Sequence, residues 1–133
     1  MDRIDLQIEV PAVRALDLSL PAPEEGSAQV AVRVARARAV QADRFAVLGS
    51  QHLRLNAEAD GELLVSIARP DAASLNLLQD AAEMIGLTAR GYHRVLRVAR
   101  TLADLDGAAD VGRVHMAEAL TFRQRLSTGR LAA

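Results

Sequence analysis

Residues 87–107 constrain the fold most, because they encode one long helix together with both of its ends. Thr88 is a good N-cap, since its hydroxyl can accept a hydrogen bond from a free N–H group of the first turn. Gly107 suits the other end, because glycine readily takes the left-handed conformation that closes a helix. The apolar residues between them recur at helical spacing: Tyr92, Val95, Leu96, Ala99, Leu102 and Ala103. The pattern predicts a helix over about 89–106 with one buried face.

Arg90 is the unusual residue of this helix. It lies in the first turn, where the helix dipole is positive and a cation costs about 0.3–1 kcal/mol. The position becomes favourable when an anion binds, because the free N–H groups, the dipole and the guanidinium then act on it together. The alternative is a solvated arginine without a ligand, and the residue pattern alone leaves both open.

The composition favours a small bundle of helices. The chain has 133 residues, about one domain, and only three aromatic residues, so its core is built from Leu, Val, Ile and Ala. It has no cysteine, which excludes disulfides and thiol catalysis and fits a cytoplasmic location. The net charge of −1 gives no general attraction to nucleic acid or membrane. The sequence contains no run of about 18 apolar residues, so it predicts no membrane span.

The first 27 residues read as a strand followed by a linker. Residues 4–10 alternate apolar and polar side chains, which predicts a short strand or extended segment. Residues 11–27 contain three prolines, and Pro21 and Pro23 forbid a continuous helix there. We therefore expect a hinge that ends at Ser27, the predicted N-cap of the next helix.

The rest of the chain predicts further helices. Residues 48–70 are ambiguous, and for 63–67 we favour a short helix over an extended run. Asp71 is a predicted N-cap and Gly86 a predicted stop for the helix that follows. The other predicted helices span about 28–47, 72–86, 89–106 and 111–126. The expected fold is thus mainly α, with four to five helices and a short N-terminal strand or extended segment.

Three segments resemble one known family. The run T-A-R-G-Y-H-R-V-L-R-V-A-R-T-L-A-D-L at 88–105 is similar to the C-terminal signature of Mg-chelatase-like AAA+ ATPases, the group that includes ComM-type competence proteins. H-M-A-E-A-L-T-F-R at 115–123 resembles the family's last helix, and D-R-I-D-L-Q-I-E-V-P at 2–11 resembles the end of its ATPase core. The resemblance implies a helical lid domain of the AAA+ type.

The family's site residues carry over onto the first turn of the long helix. The arginine of its S/T-x-R motif, the sensor 2 residue that contacts the γ-phosphate of ATP, corresponds to Arg90. Thr88, Gly91 and Arg94 are its neighbours and further candidates for binding the nucleotide. Arg3 corresponds to a position where related ring ATPases have an arginine finger, which stabilises the transferred phosphoryl group of a neighbouring subunit.

The resemblance also implies that this chain is one part of a larger ATPase. All sixteen basic residues are arginine, so a Walker A loop, which needs lysine, is impossible. We expect a C-terminal piece of a larger ATPase that is no enzyme by itself, holds no metal and binds neither ATP nor Mg²⁺ alone, whereas the parent uses both. The expected boundaries are 1–27 for the end of the core and hinge, 28–127 for the lid and 128–133 for a disordered tail.

The expected partners are the core domain of the same chain and neighbouring subunits of a ring. The parent's substrate is either a porphyrin that receives Mg²⁺ or DNA, and the ComM-type resemblance favours DNA. The alternative function is a stand-alone DNA-binding or adaptor module, because helices 89–106 and 111–126 could form a helix-turn-helix.

The remaining charged residues suggest surfaces rather than sites. The long first helix carries a basic surface, read as solvated in preference to a nucleic-acid contact: Arg33, Arg36, Arg38 and Arg44. Arg94 and Arg97 are expected to dock on the core, and Arg100 with Asp104 to form an i,i+4 pair worth a few tenths of a kcal/mol. No two of His52, His93 and His115 have the spacing of metal ligands.

Overall fold

The structure, a computed structural model, describes the backbone of residues 3–131 and the side chains of residues 3–123. Within this range the chain forms five helices and no strand: α1 (Ser27–Val47), α2 (Gly61–Ala68), α3 (Ala72–Ile85), α4 (Ala89–Leu105) and α5 (Arg113–Leu131). Two short 3₁₀ helices, Ala15–Ser19 and Asn56–Glu58, lie in the connections. The predicted class, a small helical bundle with an extended N-terminal segment, is confirmed.

The strand alternative for residues 4–10 is wrong. The segment is extended, but it pairs with no strand in the described part of the chain. A strand needs the hydrogen-bonding edge of a second strand, and the only β-type contact described is an isolated bridge between Pro70 and Val111. Alternation in the sequence therefore indicated an extended backbone without determining a sheet.

Most predicted helix ends are confirmed. Asp71 accepts a hydrogen bond from the backbone N–H of Ser74 at 2.7 Å, which lowers the pKa of the Asp71 carboxyl below its usual value. Thr88 Oγ1 accepts from the N–H of Gly91 at 3.0 Å. The predicted stops Gly86 and Gly107 have φ of 63° and 71°, the left-handed region that glycine tolerates best. Local chemistry thus determines where α3 and α4 begin and end.

Two ends differ from the prediction. Gly26, not Ser27, occupies the N-cap of α1, and Ser27 is already the first helical residue. The N–H of Gly26 donates to the side chain of Gln29 at 2.9 Å, so a residue inside the helix caps its start. The last helix continues to Leu131, beyond the predicted end near 126. Of the predicted tail, residues 132 and 133 lie outside the described residues.

Helix α4 is the centre of the bundle. It packs against α1, α2 and α5, and α3 packs mainly against α5. The predicted apolar face is confirmed, since Val95, Leu96, Ala99 and Ala103 are all at most 2% exposed. The two alanines allow neighbouring helices to approach closely, which suits a core with few aromatic residues. The other helices contribute the remaining core: Phe45, Leu64, Ile67, Ala68, Leu78, Ala81, Met116, Ala119 and Leu120.

The loops before α3 and before α5 are joined to each other. The N–H of Asp71 donates to the carbonyl of Val111 at 3.1 Å, and the N–H of Val111 donates to the carbonyl of Arg69 at 3.3 Å. The buried hydroxyl of Ser74 donates to the same Val111 carbonyl at 3.0 Å. This link satisfies buried backbone groups and explains why α3 pairs with α5.

The predicted i,i+4 pair of Arg100 and Asp104 is present, but it is buried, so the few tenths of a kcal/mol expected for an exposed helix pair do not apply. The two residues are 0% and 4% exposed, and Arg100 Nη2 lies 3.0 Å from Asp104 Oδ1. The guanidinium also donates to the carbonyls of Ala108 and Ala109, each at 2.8 Å. Burial lowers the pKa of Arg100, and the Asp104 carboxylate opposes that shift.

A second arginine reaches the same carboxylate from α1. Arg44 binds both oxygens of Asp104, with Nη1 3.1 Å from Oδ2. The amide of Asn56 donates to Oδ2 at 2.8 Å, and the Asn56 N–H donates to Gln41 at 2.9 Å. Arg44 was expected in the basic surface, but its side chain is only 19% exposed, because the neighbouring helix supplies a buried anion. The other three arginines of that surface, Arg33, Arg36 and Arg38, remain exposed.

Leu96→Ala tests the central role of α4. We expect the free energy of unfolding to fall by about 2–5 kcal/mol, because the substitution leaves a cavity where Leu96 is 2% exposed. Urea denaturation followed by circular dichroism measures the change. The matched control is Met84→Ala on α3, which removes a side chain that is 86% exposed and should change stability by about 0.5 kcal/mol or less.

Asp104→Asn tests the buried polar network. The variant leaves two largely buried guanidinium groups without their anion, so we expect a loss of about 3–5 kcal/mol in the same assay. Asp110→Asn makes the same chemical change in an exposed ion pair with Arg69 and should cost less than about 1 kcal/mol. Equal effects of the two substitutions would contradict a structural role for the network.

Candidate anion-binding cleft

An open cleft of about 330 Å³ lies beside the first half of α4. It is lined by Arg3, Asp60, Arg90, His93, Arg94 and Arg97. The four α4 residues share one face because each lies three or four positions from two of the others. Of the residues carried over from the family, the structure therefore brings Arg3, Arg90 and Arg94 together.

Arg90 is exposed and has no ion-pair or hydrogen-bond partner among the described residues. It follows the N-cap directly, where the dipole of α4 is positive. The guanidinium is not bound inside the bundle, so an anion from outside can reach it.

Arg94 and Arg97 lie deeper in the cleft and meet a carboxylate. Their side chains are 18% and 15% exposed, and Arg94 Nη1 forms an ion pair with Asp5 Oδ1. Arg97 Nη1 is 3.9 Å from the same oxygen, and Arg97 Nη2 donates to the carbonyl of Ala59 at 2.9 Å. The two inner arginines therefore face residues of this chain itself, and their docking on the core stays a prediction.

Sequence reasoning missed Asp5. It lies 89 positions before Arg94, in a segment whose alternating pattern indicates only an extended backbone. No local signal could have paired these residues, because the contact depends on how residues 3–6 cross α4. The ion pair is a product of the tertiary structure.

Thr88 and Gly91 shape the start of α4 but do not line the cleft. They share the N-cap hydrogen bond, and Gly91 is buried. A Cβ atom at Gly91 would lie 3.4 Å from both Leu87 Cδ2 and Thr88 Oγ1. The glycine therefore gives room for packing against the preceding loop, and its N–H is already occupied by Thr88.

A tight turn positions the opposite wall of the cleft. Glu58 accepts hydrogen bonds from the N–H groups of Arg54 and Leu55, at 2.7 and 2.9 Å, which lowers the pKa of the Glu58 carboxyl. The turn places Ala59, which is fully buried, against α4. Asp60 follows, caps α2 through the N–H of Gly61, and lies 4.0 Å from Arg97.

The charges of the cleft suit an anion with several oxygen atoms. Four arginines line it, and among the described residues the opposing carboxylates are those of Asp5 and Asp60. Guanidinium groups bind phosphate and carboxylate through paired, charge-assisted hydrogen bonds. Within the described residues, no group of His, Asp and Glu could hold a metal ion. The arrangement can bind and orient an anion.

The geometry does not favour the helix-turn-helix alternative. The exposed side chains described on α5 include a single cation: Arg113, Val114, Ala117, Glu118 and Thr121. His115, near the start of the helix, is bound to Asp106 at 2.8 Å and to the N–H of Gly112 at 3.0 Å. A recognition helix needs several side chains that reach base edges.

No helix in the described part of the chain is long and apolar enough to cross a membrane.

Comparison with known proteins agrees with the resemblance in the sequence. The family model for the magnesium chelatase, subunit ChlI C-terminal, matches residues 24–123. An uncharacterized protein of Mycobacterium tuberculosis is 41% identical over 93% of this chain and 24% of its own length. Competence protein ComM of Haemophilus influenzae is 34% identical over 92% of this chain and 23% of its own, and an uncharacterized protein of Escherichia coli, YifB, is 33% identical with the same coverage.

The chain thus spans about a quarter of the length of the curated relatives it matches. The matched part includes all of α1 to α4 and α5 as far as the last described side chain, together with three of the arginines of the cleft. Because the family model covers 100 of the 133 residues, the chain belongs to the magnesium chelatase, subunit ChlI C-terminal, family and is Mg-chelatase-like.

Proposed function

We propose that this domain is the helical lid of a Mg-chelatase-like AAA+ ATPase, and that Arg90 is its sensor 2 residue, which binds the γ-phosphate of ATP. One observation carries the proposal. Arg90 is an exposed arginine in the first turn of α4, without a partner among the described residues, in a cleft lined by three further arginines. The family and the ComM relative support an ATPase parent in which this lid meets a nucleotide-binding core.

Arg90 suits the γ-phosphate better than its neighbours do. Arg94 is already paired with Asp5, and the N–H of Gly91 is occupied by Thr88. Of these three, Arg90 therefore has the largest unused capacity to donate hydrogen bonds to a new anion. Its unfavourable position relative to the helix dipole becomes favourable when a phosphate neutralises it.

The same contact explains how hydrolysis could move the lid. A ligand shifts a conformational equilibrium only by its difference in affinity for the two states. Arg90 supplies that difference, because the γ-phosphate is present in ATP and absent in ADP. Residues 11–26 are exposed throughout, so they provide a hinge that can bend without disrupting a packed core.

Arg3 is proposed as the arginine finger of the parent. It lines the cleft with Arg90, so a contact with the nucleotide of a neighbouring subunit requires residues 3–6 to leave their position against α4. We propose that the core of the parent holds the Mg²⁺ that accompanies ATP. We further propose a cytoplasmic ring with DNA as its substrate, on the strength of the competence relative.

Arg90→Ala tests the proposal at two levels. In this chain, stability should stay the same or rise by about 0.3–1 kcal/mol at most, because a cation leaves a positive helix end. In a full-length parent, the ATP hydrolysis rate should fall by about 10²–10³-fold, as when one pre-organised donor is lost. Thermal unfolding and phosphate release measure the two effects.

Arg113→Ala is the matched control, because Arg113 is an exposed arginine in the first turn of another helix, α5. It should leave the hydrolysis rate unchanged. Severe unfolding of the Arg90 variant would instead show that Arg90 is structural, and an unchanged hydrolysis rate in the parent would remove the sensor role.

A further inference from the structure

Asp5 is the carboxylate that the proposed function leaves unexplained. Its oxygen Oδ1 contacts Arg94 Nη1 and lies 3.9 Å from Arg97 Nη1, two of the arginines that line the cationic cleft. An acidic side chain placed among anion-binding arginines weakens the binding of any other anion. It uses a donor, Arg94 Nη1, that an oxygen of a phosphate could otherwise use.

Of the two arginines that face Asp5, Arg97 is incompletely satisfied. Its buried Nε has no hydrogen-bond partner in the described part of the chain, and both ion pairs of Arg97, to Asp5 and Asp60, are 3.9–4.0 Å long. The donor capacity of the two arginines therefore exceeds what one carboxylate uses. A ligand with several anionic oxygens can use more of it than the single Asp5 carboxylate does.

The segment that carries Asp5 is weakly attached. No residue from Arg3 to Arg36 is buried, and Leu6, which lines a neighbouring groove with Val98 and Leu102, is still 48% exposed. Segments with little buried area open at low free-energy cost. Displacing residues 3–6 from α4 is therefore within the reach of ligand binding.

We propose that Asp5 is an internal competitor for this cleft: its carboxylate holds Arg94 and fastens residues 3–6 to α4 until a phosphate-bearing ligand takes its place and releases the segment. The inference rests on the proposed function, since it concerns regulation of the same site. Because coupling between two binding events is reciprocal, removing the Asp5 charge must strengthen phosphate binding, and phosphate must loosen the segment.

The Asp5→Asn variant tests whether removing the Asp5 charge strengthens phosphate binding. Inorganic pyrophosphate is the probe, titrated by calorimetry into the whole chain. Asp5→Asn should bind it about twofold to fivefold more tightly than the wild type, the range expected for one partly exposed ion pair. Glu9→Gln removes the same charge from an exposed position of the same segment and should leave the affinity essentially unchanged.

A spin label tests whether phosphate loosens the segment that carries Asp5. The chain has no cysteine, so Ile8→Cys, at a position that is 66% exposed, takes a single nitroxide label. The label should broaden backbone amide signals of α4 in the free protein. Saturating pyrophosphate should reduce that broadening, and Asp5→Asn should reduce it without any ligand.

The outcomes separate this inference from the proposed function. Equal pyrophosphate affinities of Asp5→Asn and Glu9→Gln, no measurable binding to either, or unchanged broadening at saturation would overturn the role of Asp5. Arg90→Ala tests the other proposal in the same titration. If it abolishes binding while Asp5→Asn has no effect, Arg90 remains the anion ligand and only the competition is wrong.

Discussion

The buried carboxylate of Asp104 accepts hydrogen bonds from Arg44, Arg100 and Asn56, and so connects α1, α4 and the 3₁₀ turn between α1 and α2. Arg100 extends this connection to the loop after α4 through the carbonyls of Ala108 and Ala109. The apolar contacts around α4 are non-directional and involve many alanines, so several packings of similar area are conceivable. A buried charge without its partners is strongly unfavourable, which restricts the bundle to arrangements that keep these groups together.

The four arginines of α4 become more deeply buried from the start of the helix to its end. Arg90 is exposed and free of partners in the described part, Arg94 and Arg97 are mostly covered and share Asp5, and Arg100 is fully buried and bound to Asp104 and two carbonyls. The helix is thereby held by its C-terminal half and open to a ligand at its N-terminal half. The proposed sensor role would benefit from this arrangement, because a rigid support keeps the first turn in position while the binding groups remain available.

Local sequence signals account for much of this fold and for part of the site. The caps Asp71 and Thr88 and the stops Gly86 and Gly107 act within a few residues, so their chemistry can be recognised without the fold. The same holds for the apolar face of α4. Residues 4–10 illustrate the limit: alternation indicated an extended backbone, but a sheet also requires a partner strand. At Ser27 the cap moved by one residue, because Gln29 bonds the N–H of Gly26 instead.

The sequence by itself determined the helices, the exposed arginine at the start of α4 and, through three motifs, the family. Only the tertiary structure decided where the other charged side chains lie and which partners they bind. Arg44 and Arg100 read as surface residues, yet both meet Asp104 in or near the core, and Asp5 reaches Arg94 across 89 positions. The physical reason is distance along the chain: periodicity and capping act over one or two turns, whereas an ion pair depends on which helices and segments the packed fold brings together.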